Sequence, residues 1–120
     1  MAYTGSVLYT NYKKITVLAA SEDWAVYAYD YNGKAISSLT IEVDTTAGKA
    51  TITLADIVGY SFVGTKITIV ALTGATNKVS IVPMGSDTFG SLSAFDLNTD
   101  GANVILTPVN NTDWSATISL

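Results

Sequence analysis

Residues 85–114 read GSDTFGSLSAFDLNTDGANVILTPVNNTDW, and this stretch decides the fold class. Short apolar runs, such as Phe95 with Leu97 and residues 104–106, are separated by Gly, Asp and Asn residues. Such runs between turn residues are typical of strands and too short for helices. The stretch contains no catalytic motif and ends at a single tryptophan, Trp114. It indicates an all-β protein that is part of an assembly rather than an enzyme.

The two-residue periodicity continues upstream of this stretch. Leu39, Ile41 and Val43 alternate with polar residues, which predicts a strand with one buried face. The Asn-Gly pair at 32–33 predicts a hairpin, because both central residues of a type I′ turn need positive φ. Residues 46–49 predict a second hairpin. We therefore expect an all-β fold, either an antiparallel β-sandwich or a jelly-roll-like domain with a short-stranded C-terminal part.

A change in composition near Pro83 divides the chain into two regions. Residues 1–82 contain the longer predicted strands and form the β-sandwich-like region. Residues 83–120 are rich in turns and short strands, and we expect them to contribute the oligomer contacts. No flexible linker separates the two regions, so they are also compatible with one continuous domain.

The composition indicates that the chain associates with other chains. Of its 120 residues, 48% are hydrophobic and only 13% are charged, which is about half the usual charged share. The mean hydropathy is +0.35. Because so few charged side chains cover little of the surface, we expect copies of the chain or a partner to cover apolar surface.

The missing residue types exclude several classes of site. The chain contains no cysteine and no histidine, which excludes disulfides, Cys/His zinc sites and nucleophile pairs that use either residue. A net charge of −4 with six basic residues argues against binding to nucleic acid or to an anionic membrane surface. We expect a protein that is not an enzyme and has no cofactor.

One stretch has the spacing of a calcium loop. Asp96, Asn98 and Asp100 place oxygen side chains at positions 1, 3 and 5 of such a loop, and Gly101 lies at position 6. Position 12 is Thr107, where the loop needs a bidentate carboxylate. An ordinary β-turn uses the same residue types and is favoured over a calcium site.

A pair of carboxylates is compatible with acid–base chemistry. Glu42 and Asp44 are expected on the same polar face of one strand, because side chains two residues apart point to the same side. The sequence offers no apolar pocket that would raise the pKa of one of them. A solvated strand face is therefore favoured.

Aromatic residues are concentrated in one predicted strand. Tyr27, Tyr29 and Tyr31 are expected on one face of it, and Trp24 lies at its start. Such a row can belong to the core, form a subunit interface or stack on sugars as a ligand platform. The sequence leaves these three interpretations open.

Residues 78–118 resemble the C-terminal parts of bacteriophage virion proteins, namely trimeric head fibres, capsid decoration proteins and tail-fibre tips. The pattern consists of an alternating strand, a Gly-Ser-Asp-Thr turn, a short strand, a Gly-containing turn, a V-x-L strand and a turn that ends in Trp. In this chain these parts are residues 78–82, 85–88, 94–97, 100–102, 103–106 and 111–114. The resemblance covers about a third of the chain, and Pro108 after the V-x-L strand departs from the pattern.

The resemblance implies a homo-oligomer, most often a trimer whose chains interlock, that attaches to the major capsid protein or another virion protein. It also implies that short strands bury their apolar side chains between copies. In this chain those interface residues would be Phe89, Leu92, Phe95, Leu97, Val104, Leu106 and Trp114.

The N-terminal residues have neither the basic nor the apolar part of a secretory signal. We therefore expect synthesis in the host cytoplasm, and the resemblance to virion proteins implies a final location in the virion. The alternative function is a carbohydrate-binding or adhesin-like β-sandwich that uses Trp24, Tyr27, Tyr29 and Tyr31.

Overall fold

The computed structural model of the chain describes residues 6–8, 12–18, 20–26, 38–54, 66–85, 87–90, 92–110 and 112–119. This part of the chain forms ten β-strands and contains no helix. In chain order the strands are β1 (Ser6–Leu8), β2 (Tyr12–Thr16), β3 (Ser21–Val26), β4 (Ser38–Asp44), β5 (Lys49–Leu54), β6 (Lys66–Ala71), β7 (Val79–Pro83), β8 (Phe95–Leu97), β9 (Ala102–Pro108) and β10 (Trp114–Ser119).

The ten strands form two five-stranded sheets. The first sheet has the order β1-β3-β5-β7-β8, and the second has the order β10-β9-β6-β4-β2. From β1 to β7 the chain alternates between the sheets, and each strand lies parallel to the strand two before it. We call one pass of the chain through both sheets a coil.

After a first coil in which Ser6 pairs with Trp24, 18 positions further along the chain, the coils have a nearly constant length. In the second sheet Thr40 pairs with Tyr12 on one side and with Thr68 on the other, so residues 28 positions apart are neighbours. The pairing of β3 with β5 has the same spacing. In the first sheet Ala50 pairs with Val79, which is 29 positions further along the chain. The extra residue lies in the turn between β6 and β7.

The last three strands close this winding with antiparallel pairing. β8 pairs with β7 at the edge of the first sheet. β9 pairs with β6 in the second sheet, and β10 pairs with β9 at its edge. Residues 83–120 therefore extend the two sheets that the preceding residues build.

The core lies between the two sheets and follows from period-two alternation. In β4 the side chains of Leu39, Ile41 and Val43 are buried, while the residues between them are partly exposed. β5, β6, β7 and β9 alternate in the same way. Because successive residues of a strand point to opposite faces, each of these strands buries one face and presents the other outward.

The all-β, two-sheet architecture confirms the fold class expected from the sequence, but the strand direction differs from the expectation. Antiparallel pairing occurs in three of the eight pairings among the described strands, and the other five are parallel. The hairpin predicted at 46–49 is wrong, because β4 and β5 belong to different sheets. Residues 32–33 lie outside the described residues, and β3 and β4 on either side of them also belong to different sheets.

Candidate functional site

Successive coils meet where the chain crosses between the sheets after β4 and β6, next to the turn between β8 and β9. We call this region the stacked corner: residues 44–48, 72–77 and 98–101. Backbone hydrogen bonds join the three segments where they leave the strands. Leu72 N donates to Val43 O at 2.9 Å, and Gly101 N donates to Ala71 O at 2.8 Å. The corner is therefore stacked like the strands on either side of it.

Thr45 is the buried polar residue at the centre of the stacked corner, with 0% of its surface exposed. Its Oγ1 lies 3.1 Å from the carbonyl oxygen of Thr73 and 2.5 Å from that of Asn77, so its hydrogen can donate to either oxygen. Thr45 N donates to Thr73 Oγ1 at 2.7 Å, and Asn77 Nδ2 donates to Thr45 O at 2.8 Å. Buried polar groups need hydrogen-bond partners, so this network stabilises the contact between two neighbouring coils.

The two carboxylates that the sequence paired have separate structural partners. Asp44 Oδ1 accepts hydrogen bonds from Thr46 Oγ1 at 2.7 Å and from Thr46 N at 3.0 Å, and these bonds hold the pKa of Asp44 below its usual value. Glu42 accepts a hydrogen bond from the Tyr12 hydroxyl, which raises the pKa of Tyr12. A general acid needs a raised carboxyl pKa, and Asp44 has the opposite shift.

The residues of the predicted calcium loop also have different partners. Asp96 accepts a hydrogen bond from Ser80 Oγ at 2.7 Å and pairs with Lys78 Nζ at 3.2 Å, and the bond from Ser80 is the main cause of its lowered pKa. Asp100 Oδ1 accepts from Ala75 N at 3.1 Å. The described residues contain no group of three acidic, His or Cys side chains that could hold a metal ion.

The geometry of residues 98–101 is that of a turn. Gly101 has φ of +79°, a conformation that favours glycine because it has no Cβ. Asn98 is exposed at the start of the turn. The turn interpretation of this Asp- and Gly-containing stretch therefore matches the observed backbone.

Most of the predicted interface residues lie inside a single chain. Five of the seven are at most 5% exposed: Phe89, Leu97, Val104, Leu106 and Trp114. Phe95 is half-buried against the core, and its ring contacts Phe89 edge-to-face at 4.9 Å between ring centroids. Leu92 is 46% exposed. This placement assigns the five buried side chains to the core of one chain and leaves Leu92 and Phe95 accessible to a neighbour.

The predicted aromatic platform is described only in part. Trp24 is half-buried and packs against the core from β3. Tyr27, Tyr29 and Tyr31 lie outside the described residues. The three interpretations of this row therefore remain as the sequence left them.

The outer face of the second sheet, which was not expected from the sequence, is nearly free of charge on β6, β9 and β10. The register places Thr68, Ile105 and Thr117 side by side across these three strands. One of the nine outward residues on them is charged. They are Lys66, Thr68, Val70, Asn103, Ile105, Thr107, Ser115, Thr117 and Ser119.

Two sequence signals could have located these features. Thr45 and Lys49 of one coil recur as Thr73 and Lys78 of the next, which is the trace of an internal repeat. Residues 114–119, WSATIS, contain no charged residue.

Comparison with protein-family models finds no match to this chain, and comparison with curated proteins finds none either. Within the described residues no helix is long and apolar enough to cross a membrane.

Proposed function

We propose that this chain is a structural protein of a bacteriophage virion, a capsid auxiliary or head-fibre protein that acts by assembly and not by catalysis. Its partners are further copies of itself and the major capsid protein or another virion protein. The resemblance of residues 78–118 to virion proteins motivates the proposal, and the surface of the second sheet supports it.

The supporting observation is the outer face of β6, β9 and β10. Only Lys66 is charged among the nine outward residues of these strands. The centres of protein interfaces are depleted in charged residues, because removing a charge from water is costly. A sheet with Thr68, Ile105 and Thr117 in one row offers a rigid surface that another protein can cover at low cost in desolvation.

The burial of the core suggests how such copies would associate. Leu97, Val104, Leu106 and Trp114 are already buried within one chain. We infer an oligomer, for which a trimer is the predicted state, in which folded subunits are in contact.

The first experiment tests whether the chain is part of the virion and whether it forms an oligomer. Particles purified from the source culture are dissociated and analysed by mass spectrometry, and native mass spectrometry of the purified chain gives its oligomeric state. We expect the chain in many copies per particle and an oligomer in solution. Absence from particles would contradict the virion role, and a monomer at every concentration would contradict assembly.

Two matched variants test whether the outer face of the second sheet binds the particle. Thr68 lies on the outer face of the second sheet, and Thr51 lies on the outer face of the first, both half-exposed in mid-strand. We expect Thr68→Lys to bind poorly to particles that lack the chain, whereas Thr51→Lys binds like the wild type. Equal binding of the two variants would remove the support that this face gives.

A further inference from the structure

The edge of the second sheet at β10 presents backbone groups that have no strand beside them among the described residues. Val109 N donates to Asp113 O at 2.9 Å, so Val109 and Asp113 form a hydrogen-bonded pair that continues the register of β9 and β10. Because hydrogen-bonded pairs recur at every second residue of an antiparallel pair, the odd-numbered residues of β10 direct their N–H and C=O groups toward β9. Residues with even numbers therefore direct theirs away from the sheet. Trp114 N already donates to Thr88 O at 2.9 Å. Within the described part of the chain, the N–H and C=O groups of Ala116 and Ile118 remain for a further strand.

This edge lacks the protection that two other edges carry. Natural proteins block sheet edges with charged residues, proline or very short strands. β2, the opposite edge of the second sheet, carries Lys13 and Lys14, and β8 in the first sheet is three residues long and contains Asp96. β10 is six residues long and has neither charge nor proline. It is the kind of edge to which another strand can be added.

We propose that β10 pairs antiparallel with β10 of a second copy of this chain, about a twofold axis at Thr117. This register pairs Ala116 with Ile118 of the second copy and Ile118 with its Ala116. Each pair exchanges two backbone hydrogen bonds, so the groups that face outward bond to one another. A register centred on Ala116 would need Trp114 N, which Thr88 occupies.

The side chains fit this register on both faces of the joined sheet. On the inner face the small, half-buried Ala116 meets Ile118 of the second copy, and Ile118 is 40% exposed in a single chain. On the outer face Ser115 meets Ser119, and Thr117 meets its own copy. No charged side chain is brought together, and the exposed part of Ile118 becomes covered.

Other exposed apolar side chains flank the same edge. Val109 is 64% exposed and lies in the turn that leads into β10. Leu92 is 46% exposed and forms a β-bridge with Phe89. Phe89 follows Thr88, which is hydrogen-bonded to the β10 edge. A twofold contact in which the same surface faces itself can cover these side chains in both copies. The inference rests on the assembly in the proposed function and names the partner as one further copy of the chain. Because a contact in which the same surface faces itself joins two copies, it predicts a dimer in place of the trimer that the resemblance implies.

A cysteine at the axis tests the contact and its register. The chain has no cysteine, so Thr117→Cys introduces a single thiol. At a non-hydrogen-bonded antiparallel pair the two Cα atoms are about 4.5 Å apart, which is within the range for a disulfide. We expect Thr117→Cys to give a covalent dimer after mild oxidation with diamide.

The matched control is Ser115→Cys, because Ser115 is equally exposed on the same strand. In the proposed register Ser115 faces Ser119 of the second copy, and its own copy is four residues away, about 14 Å along the strand. We expect little cross-linking of this variant. Equal cross-linking of both variants, or none of Thr117→Cys, would overturn the register.

Charge pairs give a second readout that needs no oxidation. Ser115→Lys combined with Ser119→Glu would place opposite charges together in both contacts, whereas Lys at both positions would place like charges together. We expect at least a tenfold weaker dimer for the double-lysine variant, with unchanged circular dichroism. Equal association of the two variants would overturn the contact.

The outcomes separate this inference from the proposed function. If the wild-type chain is an oligomer but Thr117→Cys does not cross-link, the contact at β10 is wrong and assembly stands. If the wild-type chain is a monomer at every concentration, both are wrong.

Discussion

The hydroxyl of Thr45 is the residue-scale feature that joins one coil to the next. The side chain is fully buried and lies within hydrogen-bond distance of carbonyl groups in the following corner. In Thr45→Val the shape remains but the hydroxyl is lost, so the part-buried carbonyl groups of Thr73 and Asn77 lose a donor. We expect the free energy of unfolding, measured by urea denaturation, to fall by about 1–3 kcal/mol.

The control for this prediction is Thr76→Val in the same corner, where the side chain is exposed. Exposed substitutions of this kind usually change stability by less than about 0.5 kcal/mol. A loss for Thr45→Val no larger than the loss for Thr76→Val would contradict a structural role of the buried hydroxyl.

Asp96 makes the stability of the chain depend on pH. The hydrogen bond from Ser80, followed by that from Lys78, lowers the pKa of Asp96 in the folded chain. Its stabilising effect is therefore fully present above the unfolded pKa of about 4 and is lost as the pH falls through the lower folded pKa. Asp44, whose pKa the bonds from Thr46 lower, adds a dependence of the same sign.

The measurement is the urea midpoint between pH 5 and pH 2. We expect the midpoint to fall with pH in the wild type and to fall less steeply in Ser80→Ala, which removes the main cause of the lowered pKa while keeping the carboxyl group. A slope that is the same in both proteins would rule out this assignment.

At the scale of elements, the turn between β8 and β9 fits closely over the corner between β6 and β7. A Cβ atom added to Gly74 would lie 2.6 Å from the backbone oxygen of Thr99 and 3.0 Å from that of Leu97. Neither backbone atom can move like the end of a flexible side chain. We expect Gly74→Ala to lower stability by about 1–3 kcal/mol, as overpacking does, measured as a lower melting temperature.

Ala75→Ser is the control for Gly74→Ala, because Ala75 is the exposed neighbour in the same turn. It should melt within a few degrees of the wild type. If Gly74→Ala melts at the wild-type temperature, the closing turn is not in contact with this corner in solution.

The sequence predicted the strands at this scale better than their partners. The alternation of Leu39, Ile41 and Val43 predicted a strand, and the structure has β4 at Ser38–Asp44. The V-x-L strand of residues 103–106 lies within β9 at Ala102–Pro108. Local alternation is sufficient for this, since it depends only on which face is buried. Pairing depends on residues 28 positions apart, which local patterns do not contain.

The candidate site was harder to predict for the same reason. Trp114 was expected between copies, and it is 1% exposed within one chain. An apolar side chain gives the same pattern in either place, because burial by the chain and burial by a partner need the same chemistry. The edge position of β10 depends on the order of the strands in the second sheet, which local alternation does not contain.

At the scale of the whole molecule, the parallel coils resemble a one-dimensional stack. β3, β4 and β5 each pair with the strands one coil away in both directions. The stability of such stacks is approximately the sum of terms for each coil and for each contact between neighbouring coils. A coil removed with its register intact should therefore leave a shorter fold of the same kind.

Deletion of residues 40–67 tests this property. It joins Leu39 to Thr68, removes 28 residues and keeps every remaining side chain on its face, since Thr40 and Thr68 are neighbours in register. β2 then lies beside the remainder of β6, and β3 lies beside β7. We expect cooperative unfolding and a β-type circular dichroism spectrum, with a lower melting temperature because one layer of core is lost.

Deletion of residues 40–66 is the matched control, because it removes one residue fewer and so shifts the register of the strand by one. It places Ile67 directly after Leu39, so two buried residues become adjacent and alternation fails at the junction. Because a shift of one residue turns a strand's buried side chains outward, one of these two must face solvent or the strand must bulge. We expect this longer variant to be the less stable of the two. Equal stability of the two variants would mean that the 28-residue register does not determine how the coils stack.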